Sequence, residues 1–121
     1  MAKILLVDDE PDMLDVWTLF LRHSGHEVMK ATNGVEALDI AQEFLPDLVI
    51  LDLMMPAASG EMVLGIMRST PSLKDTRVIV ISAHPKGAQL AENFGADGFL
   101  AKPVHLEQFQ AEVARFVETS N

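Results

Sequence analysis

Leu48-Val49-Ile50-Leu51-Asp52-Leu53-Met54-Met55-Pro56 runs four apolar residues into one carboxylate and turns at the proline. A short apolar run bounded by turn signals reads as a strand buried on both faces. A carboxylate at the C-terminal end of such a strand sits where an open α/β sheet keeps its ligands. Taken alone, Asp52 is more often a solvated strand end. The sequence on either side removes most of the weight from that reading.

Working outward, Ile4-Leu5-Leu6-Val7 is a second buried run, and it ends in Asp8-Asp9-Glu10-Pro11-Asp12. Pro11 suits the first turn of a helix, and acids there complement the helix dipole. That helix is expected over 11–24, with Gly25 as its stop. It is apolar around more than one face, so spacing leaves Trp17 either in the core or on a docking surface. A shorter, more polar strand at 27–31 reads as an edge. Asn33-Gly34 reads as a turn, a helix follows over 35–44, and Pro46-Asp47 leads into the central strand. After Pro56, Ala57-Ala58-Ser59-Gly60 reads as a loop before a third helix marked by Met62, Val63, Ile66 and Met67. Val78-Ile79-Val80-Ile81 is a fourth strand ending in Ser82. A short helix over 86–94 is stopped by Gly95. Gly98-Phe99-Leu100-Ala101 is a fifth strand ending in Lys102-Pro103, and a last helix spans 106–117 with Leu106, Phe109, Val113 and Phe116 inward.

Strands alternating with helices imply right-handed βαβ crossovers and a parallel sheet covered on both faces. The expected fold is α/β, the flavodoxin-like (βα)5 doubly wound form, with five parallel strands in the order 2-1-3-4-5. All 121 residues are expected to form one domain with its core over about 3–117, a frayed tail at 118–121 and no output domain. No apolar run is long enough to span a bilayer, and Met1-Ala2-Lys3 enters a strand at once, so neither a membrane partner nor a signal peptide is expected. The absence of cysteine excludes disulfides and thiolate metal sites and allows a cytoplasmic location. The net charge of −9 argues against direct nucleic-acid binding and suits a cation or a basic protein surface.

In a parallel sheet of this order Asp8, Asp9, Asp52, Ser82 and Lys102 lie along one edge, with strands 1 and 3 adjacent at the switch point. Three carboxylates that close repel at about 1 to 4 kcal/mol per pair, so the cluster needs counter-charge beyond Lys102. Oxygen ligands without His or Cys point to Mg²⁺ or Mn²⁺ over Zn²⁺. A carboxylate facing a metal, with an ammonium and a hydroxyl nearby, is equipped to accept a phosphoryl group as an aspartyl phosphate.

These residues bring the chain to a resemblance. Ile4-Leu5-Leu6-Val7-Asp8-Asp9-Glu10, Asp52-Leu53-Met54-Met55-Pro56 with Ser59-Gly60, Ile81-Ser82-Ala83, and Gly95-Ala96-Asp97-Gly98-Phe99-Leu100 before Lys102-Pro103 together resemble the receiver (CheY-like) domain of two-component response regulators. The resemblance implies that Asp52 is the phosphoacceptor. It implies Asp9, Asp52 and the Met54 backbone carbonyl as Mg²⁺ ligands, with Asp8 acting through a bound water. Ser82 matches the switch hydroxyl, Lys102 the phosphate-pairing lysine and Phe99 the switch aromatic, and the Lys102-Pro103 bond is expected to be cis. Phe99 lacks the hydroxyl of the common Tyr, so its signal must pass through packing. The segment from Ser82 to Lys102 is short for the family, which concerns the fourth helix and the loop before it. His84 falls on the rim of the site, and Met54 brings no polar group to position a hydrolytic water.

The expected function is a phosphorelay switch, not a turnover enzyme on an external substrate. A histidine kinase or histidine phosphotransfer protein would dock beside helix 1 and supply the phosphoryl group. The fourth helix, fifth strand and fifth helix would then meet a downstream protein, and the chain would be a monomer or weak dimer. Two rivals are disfavoured. A haloacid dehalogenase-type phosphatase needs a second Asp at position 54, and a flavodoxin-like flavin binder needs a phosphate cradle where Asp8-Asp9-Glu10 would repel one.

Overall fold

Each segment read as a strand forms one. The computed structural model describes residues 2–55 and 59–117. The elements are β1 Lys3–Val7, α1 Pro11–His23, β2 Glu27–Ala31, α2 Gly34–Phe44, β3 Leu48–Asp52, α3 Gly60–Ser69, β4 Arg77–Ser82, α4 Gly87–Asn93, β5 Gly98–Ala101 and α5 Leu106–Phe116. The turn expected at Pro56, the loop residues Ala57-Ala58 and the tail 118–121 lie outside the described residues. The five strands form one parallel sheet in the order β2-β1-β3-β4-β5.

The alternation of side chains along a strand sorts the core into two layers. Leu5, Val7, Val49, Leu51, Val78 and Val80 pack with Ala37, Ala41, Val63, Leu64, Met67 and Ala91 from α2, α3 and α4. Ile4, Leu6, Leu48, Ile50, Ile79 and Ile81 pack with Leu14, Trp17, Leu21, Phe109 and Val113 from α1 and α5. Each fully buried Leu or Ile contributes on the order of 1.5–3 kcal/mol, so the two layers carry the fold.

Four local details sharpen the sequence reading. Trp17 is a core residue, 6% exposed, stacked on Phe109 with ring centroids 4.1 Å apart. Asn33 is a helix cap rather than part of a separate turn: its side chain accepts the Glu36 N–H at 2.9 Å, and Glu36 accepts the Thr32 N–H at 2.7 Å. Leu106 is 47% exposed, not inward, although Phe109 and Val113 are buried as expected. Leu106 sits in the first turn of α5, beyond the end of β5, where no strand lies beneath it. The Lys102-Pro103 bond is cis.

The sheet end remote from Asp52 is tied by one guanidinium. Arg68, in the last turn of α3, donates to the carbonyls of Gly95 at 3.0 Å, Lys74 at 3.0 Å and Thr76 at 2.7 Å, and to Asp97 Oδ2 at 3.0 Å. The same Asp97 oxygen accepts the Val78 N–H at 2.9 Å.

Candidate functional site

Parallel strands place the C-terminal residues of β1, β3, β4 and β5 along one edge. Asp8 follows β1 directly and is 5% exposed, and its N–H donates to the Ala31 carbonyl at the end of β2. Asp52 closes β3 and is 3% exposed. Its partner across the ladder is Ile81, so Ser82 stands one residue further along the same edge. Lys102 follows β5, and its N–H donates to the Ser82 carbonyl at 3.0 Å.

One ammonium joins three of the acids. Lys102 Nζ lies 3.1 Å from Asp52 Oδ2, 3.4 Å from Asp8 Oδ2 and 3.2 Å from Glu10 Oε1. Asp52 Oδ1 accepts the Met54 N–H at 3.1 Å, and Asp8 Oδ1 accepts the Glu10 N–H at 3.0 Å. Each buried carboxylate therefore has one oxygen held by the backbone and one turned to the cation.

The electrostatics follow from burial. Loss of water raises the Asp8 carboxyl to about 6, helped by the charge of Asp52 and opposed by the Glu10 N–H and by Lys102. Burial alone would lower the Lys102 ammonium. The hydrogen bond and charge of Asp52, then Asp8, then Glu10, outweigh it and raise the group well above the usual lysine range. Lys102 is therefore a fixed positive charge at any physiological pH.

The oxygens also suit a hard cation. One carboxylate oxygen from each of Asp8, Asp9 and Glu10 lies within 4.8 Å of the others. Lys102 already shows that oxygens of Asp8, Glu10 and Asp52 converge on a single positive point. An all-oxygen set of this kind fits Mg²⁺. Asp52 is not one of the three clustered acids; it is tied to them through Lys102.

The remaining sequence-derived residues surround this pocket. Ser82 is buried, and its Oγ accepts the His84 N–H at 2.9 Å. His84 is exposed, and its Nδ1 accepts the Lys86 N–H at 2.9 Å. Met54 is 56% exposed. Phe99 is half-buried against the layer formed by α2, α3 and α4. Asp8, Asp52 and Lys102 thus come into direct contact, Asp9 joins through the acid cluster, and Ser82, Phe99 and His84 line the neighbouring strand end. Glu10, which the sequence offers as a helix-dipole acid and as part of the receiver motif but not as a site residue, reaches Lys102. Its place as the third acid of an unbroken run before Pro11 was the available signal. Gly60, a loop and motif residue with no role expected at the site, is the other addition. Its N–H donates to the Leu53 carbonyl at 2.9 Å, and it is packed directly against the backbone of Asp52.

Residues 4–114 match the family described as response regulator receiver domain. The chain is 32% identical over 115 residues to the DNA-binding dual master transcriptional regulator RpaA of Synechocystis, covering 93% of this chain and 48% of that protein. It is 30% identical over 119 residues to the polar-differentiation response regulator DivK of Brucella anthropi, covering 97% of this chain and 91% of DivK. Among solved structures it is similar to response regulator TrrA of Thermotoga maritima in complex with Mg²⁺ and BeF, with a TM-score of 0.86, 33% identity, and 97% and 100% of the two chains covered. The chain spans about half the length of RpaA and most of DivK. Fold, pocket and relatives agree: the chain belongs to the response regulator receiver domain family.

Proposed function

We propose that Asp52 is the phosphoacceptor of this receiver domain and that Lys102 holds the incoming phosphoryl group. The observation that carries this reading is the 3.1 Å contact between Lys102 Nζ and Asp52 Oδ2 in an acid pocket at the strand ends. The Met54 N–H occupies Oδ1, which leaves Oδ2, hydrogen-bonded to the ammonium, as the nucleophile. Oδ2 forms the new bond to phosphorus as the bond from phosphorus to the donor histidine nitrogen breaks, and that nitrogen keeps the electron pair. Lys102 cannot give up its proton here; it contributes charge and position. The Ser82 hydroxyl, whose Oγ accepts the His84 N–H, donates its own hydrogen to a phosphoryl oxygen, and Phe99 follows it.

Asp9, Asp52 and the Met54 carbonyl would hold Mg²⁺, with Asp8 acting through water, and the ion would supply charge to the phosphoryl oxygens. Mn²⁺ would serve in the same donor set. Glu10, absent from that set, stands close enough to join it. A histidine kinase or histidine phosphotransfer protein docks on α1, where Val16 and Leu19 are exposed beside Asp12 and Asp15. A downstream protein meets α4, β5 and α5. The chain works as one receiver domain, a monomer or weak dimer in the cytoplasm, promoting its own phosphorylation without turning over an external substrate. Among the described residues no helix is long and apolar enough to cross a membrane. Neither the phosphatase nor the flavin-binding alternative is supported: position 54 is Met, and three acids follow β1.

The test is incubation with acetyl phosphate and Mg²⁺, read by intact mass. A gain of about 80 Da, one phosphoryl unit, is expected on the native chain and is lost in Asp52→Asn. An adduct that persists in Asp52→Asn refutes the assignment. Met54 brings no polar group to guide the attacking water, so the phosphoryl half-life in Mg²⁺ buffer is expected to run well beyond a minute; decay within seconds contradicts this.

Asp8 adds a pH dependence. Its carboxyl, raised to about 6, must lose a proton before Mg²⁺ settles beside it. Mg²⁺ affinity is expected to be level at neutral pH and to weaken about tenfold per pH unit below about 6. Without Mg²⁺ the sign of the stability effect reverses. A carboxyl raised above its ordinary 3.8 destabilises the fold once charged, so its contribution is fully present below that value and is lost as pH rises through about 6. Calorimetric titration of Mg²⁺ from pH 5 to 8 checks the first statement, and Asp8→Asn should flatten the curve.

A further inference from the structure

The short connection between β4 and α4 carries a glycine that its backbone does not require. Gly87 opens α4, and it is not among the glycines with positive φ, which are Gly25 and Gly95. A glycine in a helix weakens it relative to alanine. The reason for Gly87 lies in its surroundings. A Cβ there would stand 3.0 Å from Phe99 Cε1, 3.1 Å from Phe99 Cζ and 3.0 Å from Ser82 Cβ. The edge of the Phe99 ring and the Ser82 side chain therefore flank the same bare backbone.

The loop couples these groups further. Gly87 N–H donates to the His84 carbonyl at 2.9 Å, Lys86 N–H donates to His84 Nδ1 at 2.9 Å, and His84 N–H donates to Ser82 Oγ at 2.9 Å. The α4 helix is only seven residues long and has no side-chain cap. Its first turn is held by this loop, so Gly87 cannot withdraw without disturbing the bond to Ser82.

We propose that Gly87 is a positioning residue for the Ser82–Phe99 pair: having no side chain, it lets the Phe99 ring close against Ser82, and any side chain at 87 drives the ring outward. This rests on the roles of Ser82 and Phe99 given under Proposed function. A methyl group at 87 overpacks the inward arrangement, shifting the ratio of inward to outward rings about fivefold. Phosphoryl uptake slows by a similar factor, because Ser82 and its loop are displaced together.

The experiment uses the full chain labelled with 4-fluorophenylalanine at its six phenylalanines, with the Phe99 resonance assigned from Phe99→Leu. In Gly87→Ala the Phe99 fluorine signal should move toward the solvent-exposed value, and the acetyl phosphate reaction should slow about fivefold. Ala88→Ser, at the exposed next position, should change neither. In Gly87→Ala/Phe99→Ala the added methyl group should slow the reaction less than it does in the native background, since only the Ser82 Cβ contact is left for it to meet. A Phe99 signal or a rate that stays at the wild-type value in Gly87→Ala overturns the proposal, as do effects that simply add in the double variant. If Gly87→Ala does not fold, recovery of folding in the double variant supports the contact, and failure of both overturns it. If the native chain itself takes no phosphoryl group, the reading under Proposed function fails, and the fluorine signal and folding alone decide the role of Gly87.

Discussion

Lys102→Ala is expected to slow phosphoryl uptake at Asp52, the proposed acceptor, about 100- to 1,000-fold, the loss that follows removal of one preorganised charge partner, and at the same time to tighten Mg²⁺ binding. The two effects have opposite signs because Lys102 plays two parts. Toward a phosphoryl group it is the nearest cation on the chain. Toward a metal it is a competitor, lying within 3.4 Å of Asp8 and Asp52, the acids that would gather around the ion. Two positive charges in one pocket repel by about 1 kcal/mol or more at 4 Å even in a water-like dielectric, and Mg²⁺ doubles that figure. The gain in affinity should therefore be about tenfold or more. Isothermal titration with Mg²⁺ and the acetyl phosphate rate at saturating Mg²⁺ separate the two parts. Weaker Mg²⁺ binding in Lys102→Ala would mean that the ammonium organises the acids instead of competing for them.

Gly60→Ala is expected to cause the largest loss of stability of any single methyl addition at the site. A Cβ at Gly60 would overlap the Asp52 carbonyl oxygen and Leu53 Cα. These are backbone atoms of the central strand and its exit, and no rotamer change moves them aside. Gly60 is also buried, and its N–H is spent on the Leu53 carbonyl at 2.9 Å, so α3 cannot slide away without breaking that bond. Overpacking against backbone belongs at the severe end of single substitutions, about 3–5 kcal/mol. For a domain of this size the midpoint should fall by roughly 10–20 °C. Thermal unfolding followed by far-ultraviolet circular dichroism checks it. A midpoint within a few degrees of the native chain would show that the loop ahead of α3 yields easily. Any folded Gly60→Ala protein should also take up phosphoryl groups slowly, because the turn that holds Asp52 Oδ1 has moved.

Four of the strands were legible because each is an apolar run closed by a polar residue, Asp8, Asp52, Ser82 or Lys102, and the more polar β2 was legible as the edge. The site was legible for the same reason: Asp8, Asp52, Ser82 and Lys102 each end or follow such a run, and topology does the rest. What stayed hidden depends on side-chain direction. The reach of Glu10 to Lys102 joins residues 92 apart in the chain through two flexible side chains. Trp17 shares α1 with Met13, Val16 and Phe20, so a helical wheel cannot choose its side; its stacking on Phe109 does. Leu106 has the right spacing and the wrong place, at a helix start that overhangs the sheet. Gly60 and Gly87 look alike in the sequence as loop or helix-start glycines. Only the atoms opposite them, backbone in one case and a ring edge in the other, tell them apart.

Arg68 gives the sheet a stationary end. Its guanidinium holds main-chain oxygens on either side of β4, and through Asp97 it also holds the Val78 amide. Movement expected to begin at Asp52 meets a tied base at the start of β4 and ahead of β5. It is expected to leave sideways, through the loop over 83–87 and the short α4 behind it. Deuterium should accordingly enter those loop amides first and the amide of Val78 among the last. An anchored base and a free rim let a local event at one carboxylate reshape the outer surface without loosening the interior.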